Sequence, residues 1–250
     1  MRYSPASIFY FWGGGLIPEG LLELTLAAEL DVADTLGVNQ QSIILIGGGG
    51  HAKVMLDAAL CANRAVRGFV DDDQNAPISS MSGCPECLGS FNDIDLIAGG
   101  EFVLAVGDIA LRAKLIEQLG QCAVAKAITH PSAVIAQSAI ICDGVFVSAG
   151  AIINPDARIE THAIINTGAI VEHDCRVGIN AHIAPRAVLG GGVVVGDHTL
   201  IGIGATVMPG VRLGDRCVIG AGAVVTGEVG DGETVVGVPA RPINEQSLLG

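Results

Sequence analysis

The chain has 250 residues, half of them hydrophobic and 16% charged, with a formal net charge of −13. That acidity excludes a nucleic-acid binder, because nothing would neutralise a phosphate backbone; an anionic small ligand stays open, since backbone N–H groups hold phosphate without Lys or Arg. No apolar run reaches the roughly 18–20 residues that span a bilayer, so no membrane insertion is expected.

Residues 1–41 read as an extension of unknown role. Both tyrosines, the only Trp and two of the six Phe fall within the first twelve residues. The apolar patch Ile8–Trp12 carries only Arg2 as a positive charge and runs into Gly13-Gly14-Gly15, which makes a poor signal peptide, so the protein is expected to be cytoplasmic. Leu21–Leu36 has the spacing of one amphipathic helix, with Leu22, Leu26, Leu30 and Ala33 on a face. It is either an extension that packs on the body or on a neighbouring subunit, or upstream sequence that carries no function.

Residues 42–127 alternate strand and helix signals. Strands are expected over 42–46, 66–70 and 102–106, helices over 52–62 and 109–119, and residues 123–128 lead out. That order implies a small Rossmann-like parallel sheet with helices on its faces. Gly47-x-Gly49-x-x-Ala52 follows the first strand and opens the first helix, with Asp71 and Asp72 closing the second strand. The pattern fits a dinucleotide fingerprint: glycines let phosphate approach the backbone, the helix N-terminus attracts anions, and the acid accepts hydrogen bonds. With three or four strands, a half-site for one nucleotide is the more economical reading. Cys84-Pro85-Glu86-Cys87 is a CxxC, but no second ligand pair follows at matching spacing, and the seven cysteines read as reduced thiols.

Residues 128–230 repeat every six. An aliphatic position recurs from Thr129 through Ile135, Ile141 and Val147 to Val225, and four residues after each comes a small one such as Ala133, Ala139 or Ala151, through seventeen hexads without a slip. Such periodicity marks a parallel β-helix, three hexads making one triangular coil. The aliphatic residue fills the prism and the small one sits near a corner. Gly directly after the aliphatic residue (Gly178, Gly190, Gly196, Gly202, Gly214, Gly220) is expected to serve tight bends. Residues 231–250 remain as a tail. A prism has no cleft of its own, so a homotrimer with composite sites at its boundaries is expected.

Polar residues interrupting the repeat are the candidates. His173 stands between Glu172 and Asp174 at an outward position, where a carboxylate can orient it and raise its basicity; a solvated surface His is the other reading. His182 also faces outward, half a coil on, and falls on a different face from His173. His162 and His198 are two coils apart, which raises a zinc-dependent γ-carbonic-anhydrase-like hydratase as an alternative, although HxxxxH is missing. No metal is expected.

The chain resembles the NeuD/PglD-type sugar acyltransferases of bacterial surface-glycan pathways over roughly residues 42–243. The resemblance rests on Ile43–Val54, Gly68–Asp72, Val171–Cys175 and Val236–Pro242. It implies a left-handed parallel β-helix that uses acetyl-CoA to N-acetylate the 4-amino group of a nucleotide-linked 4-amino-6-deoxy sugar, with O-acetylation of sialic acid or a related sugar as the alternative. It also implies Gly48, Gly49, Gly50 and His51 near the phosphates and Asp71 and Asp72 near the base or ribose. His173 becomes the general base, oriented by Asp174, and His182 of a neighbouring chain touches the thioester. Gly190, Gly191 and Gly202 line the pantetheine arm, and Arg241 approaches the adenosine phosphates. The turn Ser82–Gly89 departs from the family's pattern, and residues 1–41 have no counterpart.

Overall fold

The first sheet forms around Ile43–Ile46, an apolar segment buried throughout, which a parallel sheet covers only with helices packed against it. The computed structural model describes residues 42–96, 100–120, 122 and 124–243; the helix expected over Leu21–Leu36 lies outside them. Strands β1 (Ile43–Ile46), β2 (Val66–Val70), β3 (Glu86–Gly89) and β4 (Glu101–Leu104) lie in the order β3-β2-β1-β4, and every pairing is parallel. Helix α1 (Gly50–Cys61) follows β1, and α2 (Ile109–Leu119) follows β4. Strand β3 occupies the segment read from sequence as a turn, so Cys87 sits in an edge strand and Cys84 in the turn before it, both as free thiols.

The hexads fold as a left-handed parallel β-helix. Seventeen two-residue strands run from β5 (Ile128–Thr129) to β21 (Val224–Val225), each pairing with the strand three along, as in Ile164↔His182 and Ile165↔Ile183. The second residue of each strand points inward: Ile153, Ile159, Ile165, Val171, Val177, Ile183 and Leu189 are all buried in one continuous column. Each such side chain contributes about 1.5–3 kcal/mol on burial, and a slip of one residue would turn the whole column outward.

The glycines after the aliphatic position do not make the bends. None of the six has a positive φ; the left-handed residue comes two positions later, at Gly150, Asp156, His162, Gly168, Asp174, Asn180, Arg186, Gly192 and onward. Those six glycines are there because a Cβ would strike the next coil: at Gly178 it would lie 2.7 Å from the Asp197 backbone nitrogen, and at Gly190 2.7 Å from that of Pro209.

The described residues form one unit. One prism sheet carries the outward residues Ile128, Phe146 and Ile164, which share a buried cluster with Ile43, Leu45, Met55 and Phe69 of the first domain. Its next outward position is His182, followed by Leu200 and Val218. Residues 231–243, read from sequence as tail, extend this sheet through β22 (Thr234–Val236) and β23 (Arg241–Pro242).

Candidate active site

The glycine turn lies where β1 delivers the chain into α1. Gly47 has φ +113, and a Cβ there would sit 2.6 Å from Val106 Cγ2, so only glycine fits. Added Cβ atoms at Gly49 and Gly50 meet nothing within 4 Å, which leaves that side of the turn open. No side chain caps α1, so its first N–H groups are available to an anion. Asp71 and Asp72 have partners inside the domain. Asp71 Oδ2 accepts from the Gly48 N–H at 2.7 Å and Oδ1 from the Asp73 N–H at 2.9 Å, while Asp72 Oδ1 accepts from the Phe91 N–H at 3.0 Å. Asp71 therefore braces the glycine turn against the end of β2.

His51, the second residue of α1, stands edge-on to Phe146 at 5.4 Å and 6.3 Å from the His182 ring. Docking of the first domain thus brings a residue of the glycine turn and the first polar position of the prism column to one cleft. Burial, then the charge of Arg112, push the His51 imidazole down to about 4 and that of His182 to about 3; both rings are neutral near pH 7. Asn166 Oδ1 accepts from the Thr167 N–H at 2.8 Å, which turns its amide nitrogen to His182 Nε2 at 3.0 Å. Nε2 is then the acceptor, and the proton sits on Nδ1, directed at the Gly107 backbone. His51 Nε2 is buried without a hydrogen-bond partner among the described residues.

Arg112 holds this region together, and sequence reading missed it. The side chain is 0% exposed. Nε donates to Asn180 Oδ1 at 2.6 Å, Nη2 to the Asn180 carbonyl at 2.9 Å, and Nη1 to the carbonyls of Val106 and Gly107 at 3.1 and 3.2 Å. The available signal was an Arg three residues after Ile109 and three before Leu115, on the apolar face of α2. Beside His182 a cavity of about 1120 Å³ runs along the same sheet, lined by Gly107, Ile109, Ala113, Leu200, Gly202 and Ile203 among others.

His173 lies elsewhere, in the turn after the strand Ile170–Val171, on an exposed corner of the prism. Nδ1 bonds Asp174 Oδ2 at 2.7 Å, with side chains 62% and 65% exposed. The hydrogen bond to Asp174 leads the causes that raise its pKa. Asp174 holds this pose from a left-handed backbone, φ 61. Across the next coil a Cβ at Gly191 would lie 2.7 Å from His173 Cε1 and Nε2, so the ring lies over bare backbone. The His173 carbonyl accepts from the Gly192 N–H at 2.9 Å, and the Gly191 N–H has no partner among the described residues. Gly190 lies beside Gly191 in that coil. Arg241 is exposed on β23, near a cavity of about 200 Å³ that Glu233 and Thr226 also line. The candidate residues of one chain therefore fall into two groups: the glycine turn, His51 and His182 against the first domain, and His173, Asp174, Gly190 and Gly191 on an exposed corner.

Histidines 162 and 198 do not form a pair. Asn180 stands between them at the same corner and gives its amide N–H to His198 Nδ1 at 2.9 Å. Among the described residues one group, Asp57, Cys61 and His130, brings three potential metal-ligand atoms within 4.8 Å. His130 Nδ1 accepts from the Ser132 N–H at 3.0 Å, which keeps the neutral ring's proton on Nε2; a metal-bound His donates its second nitrogen instead.

Residues 42–119 match the PglD N-terminal domain and residues 192–227 the bacterial transferase hexapeptide family (six repeats). No curated protein matches the chain. Among solved structures, a histidine-substituted perosamine N-acetyltransferase from Caulobacter crescentus, in complex with CoA and GDP-perosamine, is 36% identical with a TM-score of 0.76, covering 82% of this chain and 97% of that one. The acetyltransferase domain of PglB from Neisseria gonorrhoeae, in complex with acetyl coenzyme A, is 32% identical with a TM-score of 0.74, covering 81% and 99%. WeeI from Acinetobacter baumannii is 26% identical with a TM-score of 0.69, covering 81% and 99%.

Proposed function

This chain belongs to the NeuD/PglD-type family of hexapeptide-repeat sugar acyltransferases, and on that premise we propose that it transfers the acetyl group of acetyl-CoA to the 4-amino group of a nucleotide-linked 4-amino-6-deoxy sugar. The observation that carries the reading is His173, held by Asp174 at 2.7 Å over the bare backbone of Gly191 on an open corner. An alkylammonium loses its proton near pH 10, so the amine needs a base before it attacks a thioester. The amine attacks once its ammonium proton has gone to solvent, and His173 Nε2 takes a second proton from the nitrogen as the N–C bond forms. The tetrahedral intermediate then expels the thiolate of coenzyme A, which receives the proton from the imidazolium, and no acyl-enzyme arises. The Gly191 N–H, beside the ring and without a partner among the described residues, is the donor for the oxyanion.

The two half-sites become one site in a homotrimer, where the corner with His173 of one protomer faces the His51–His182 cleft of the next. The nucleotide diphosphate lies on the open side of Gly49 and Gly50 at the uncapped start of α1. The pantetheine arm follows the cavity past Gly202, and Arg241 meets the adenosine phosphates. The relative bound to GDP-perosamine puts GDP-linked sugars first on the list of acceptors to try.

The test is mass spectrometry of products from acetyl-CoA with UDP-, GDP- and dTDP-linked 4-amino-6-deoxy sugars. Gain of one acetyl group on a nucleotide sugar is the expected result. Intact acetyl-CoA with every acceptor defeats the reading and directs the search to O-acetylation of a free sugar.

A further inference from the structure

A buried guanidinium is costly unless every donor finds an acceptor, and a protein that keeps one gains a rigid multi-point link in return. Arg112 has no carboxylate within ion-pair distance among the described residues. Asp108 acts on it only through space, its Oδ1 accepting the Leu111 N–H at 2.7 Å. All four of its acceptors are neutral, and they belong to two bodies: the Val106–Gly107 turn of the first domain and Asn180 of the prism. Asn180 returns a bond to α2 through the Ile109 carbonyl at 3.1 Å. The same Val106–Gly107 turn abuts Gly47 at the root of the glycine turn and carries the backbone partner of His182. Three walls of the cleft thus meet at one side chain.

Granting the transfer reaction proposed above, we propose that Arg112 is its positioning residue: the guanidinium clamps the Val106–Gly107 turn to the prism corner at Asn180 and thereby fixes His182 relative to the glycine turn across the cleft. The clamp touches no reacting atom. The charged and titratable groups around it are His51 on α1, Asp108 before α2, and His162, His182 and His198 on the prism. Its charge helps to keep His51, His162 and His182 neutral, which preserves the tautomer that His182 needs to engage Asn166 and Gly107 together.

Arg112→Lys keeps the charge but cannot reach Val106, Gly107 and Asn180 at once; Arg112→Met removes the charge and keeps most of the bulk. Ring-nitrogen NMR of the full chain without substrate should show His182 as a single Nδ1-protonated tautomer, and both variants should turn it into a mixture. Arg112→Met alone should also raise the titration of His51 and His182. With an accepted nucleotide sugar, kcat should fall roughly 10²-fold in both variants, the cost of about an ångström of misplacement, with KM for acetyl-CoA within about threefold. An unchanged His182 ring or an unchanged kcat in a folded variant overturns the clamp. If Arg112→Met does not fold, Asn180→Ala removes one acceptor, leaves the charge, and is judged by the same readouts. A wild-type chain that acetylates nothing defeats the functional reading instead, and the NMR comparison still decides the clamp.

Discussion

Replacing Gly191 by Ala puts a methyl group in place of one hydrogen, yet it falls where the proposed base rests. The new Cβ would lie 2.7 Å from both Cε1 and Nε2 of His173, about 0.7 Å inside the roughly 3.4 Å at which ordinary contact begins. Gly191 has no positive φ, so alanine is not strained at that position, and the site is on the surface; the stability change should stay within about 0.5 kcal/mol. The ring has to yield, and its one side-chain hydrogen bond among the described residues is the 2.7 Å bond to Asp174. A shift near 0.7 Å at the atom that receives the proton should lower kcat by roughly 10- to 100-fold. Steady-state kinetics with mass-spectrometric product detection, beside a thermal melt, would measure both effects. A variant that melts like the parent and keeps its kcat would refute the placement of the base over Gly191.

His173→Ala should reduce turnover roughly 10²–10⁴-fold with little change in KM, the range for loss of a general base; turnover within a factor of two of wild type removes His173 from the mechanism. Asp174→Asn takes away the leading cause of the raised His173 pKa. A base works only when neutral, so activity is lost as pH falls through that pKa, and the acid limb of kcat/KM should move to lower pH in the variant; an unmoved limb speaks against the pair. His173→Ala and His182→Ala, once each is shown to be impaired, should restore about a quarter of wild-type sites when co-assembled in equal amounts, by random assortment across shared boundaries; no recovery in mixed trimers would mean that each site lies within one chain. His51, His162 and His182 are folded with pKa values lowered to about 4, 4 and 3. Folded values below the unfolded one mean stability that is present above about pH 6.5 and is lost as pH falls towards 4, at a slope of up to about 4 kcal/mol per pH unit for three protons. Urea melts should show that slope, and His162→Asn, which suits the left-handed backbone at φ 62, should remove about a third of it.

The prism was legible because its interior accepts one class of side chain at one spacing, so the column from Ile153 to Leu189 stands out from any background of loops. The reason for the glycines was not, since Gly178 answers to a backbone nitrogen nineteen residues further on, Asp197, which no local pattern reveals. Strand β3 escaped because four residues, Glu86–Gly89, with a single aliphatic side chain carry no period-two signal. The corner pair His173–Asp174 was readable because its two members are neighbours in sequence. Arg112 was not, because its acceptor Asn180 is 68 residues away and an Arg on a helix ordinarily faces water. Asp71 was legible at the end of β2, but its bond from the Gly48 N–H was not, because the two residues are 23 apart in sequence.

These successes and failures follow from how the hexad divides its labour. The inward aliphatic and the small residue that precedes the next strand carry the fold, so the outward position of each strand and the corner residues are free to vary without unfolding the coil. Along one sheet that freedom is spent first on docking, through Ile128, Phe146 and Ile164, and then on His182. At the corners it meets a second restriction, a left-handed backbone that favours Gly, Asn and Asp. Asp174 satisfies that restriction with the one acidic residue among the three, so the carboxylate that fits the bend is also the one that can hold His173. A glycine there would relax the corner and free the ring. On the reading proposed above, the chemistry sits where the fold leaves room for it and where the backbone already favours the residue the chemistry needs, so that one chain can carry two separate half-sites on a scaffold as monotonous as a six-residue repeat.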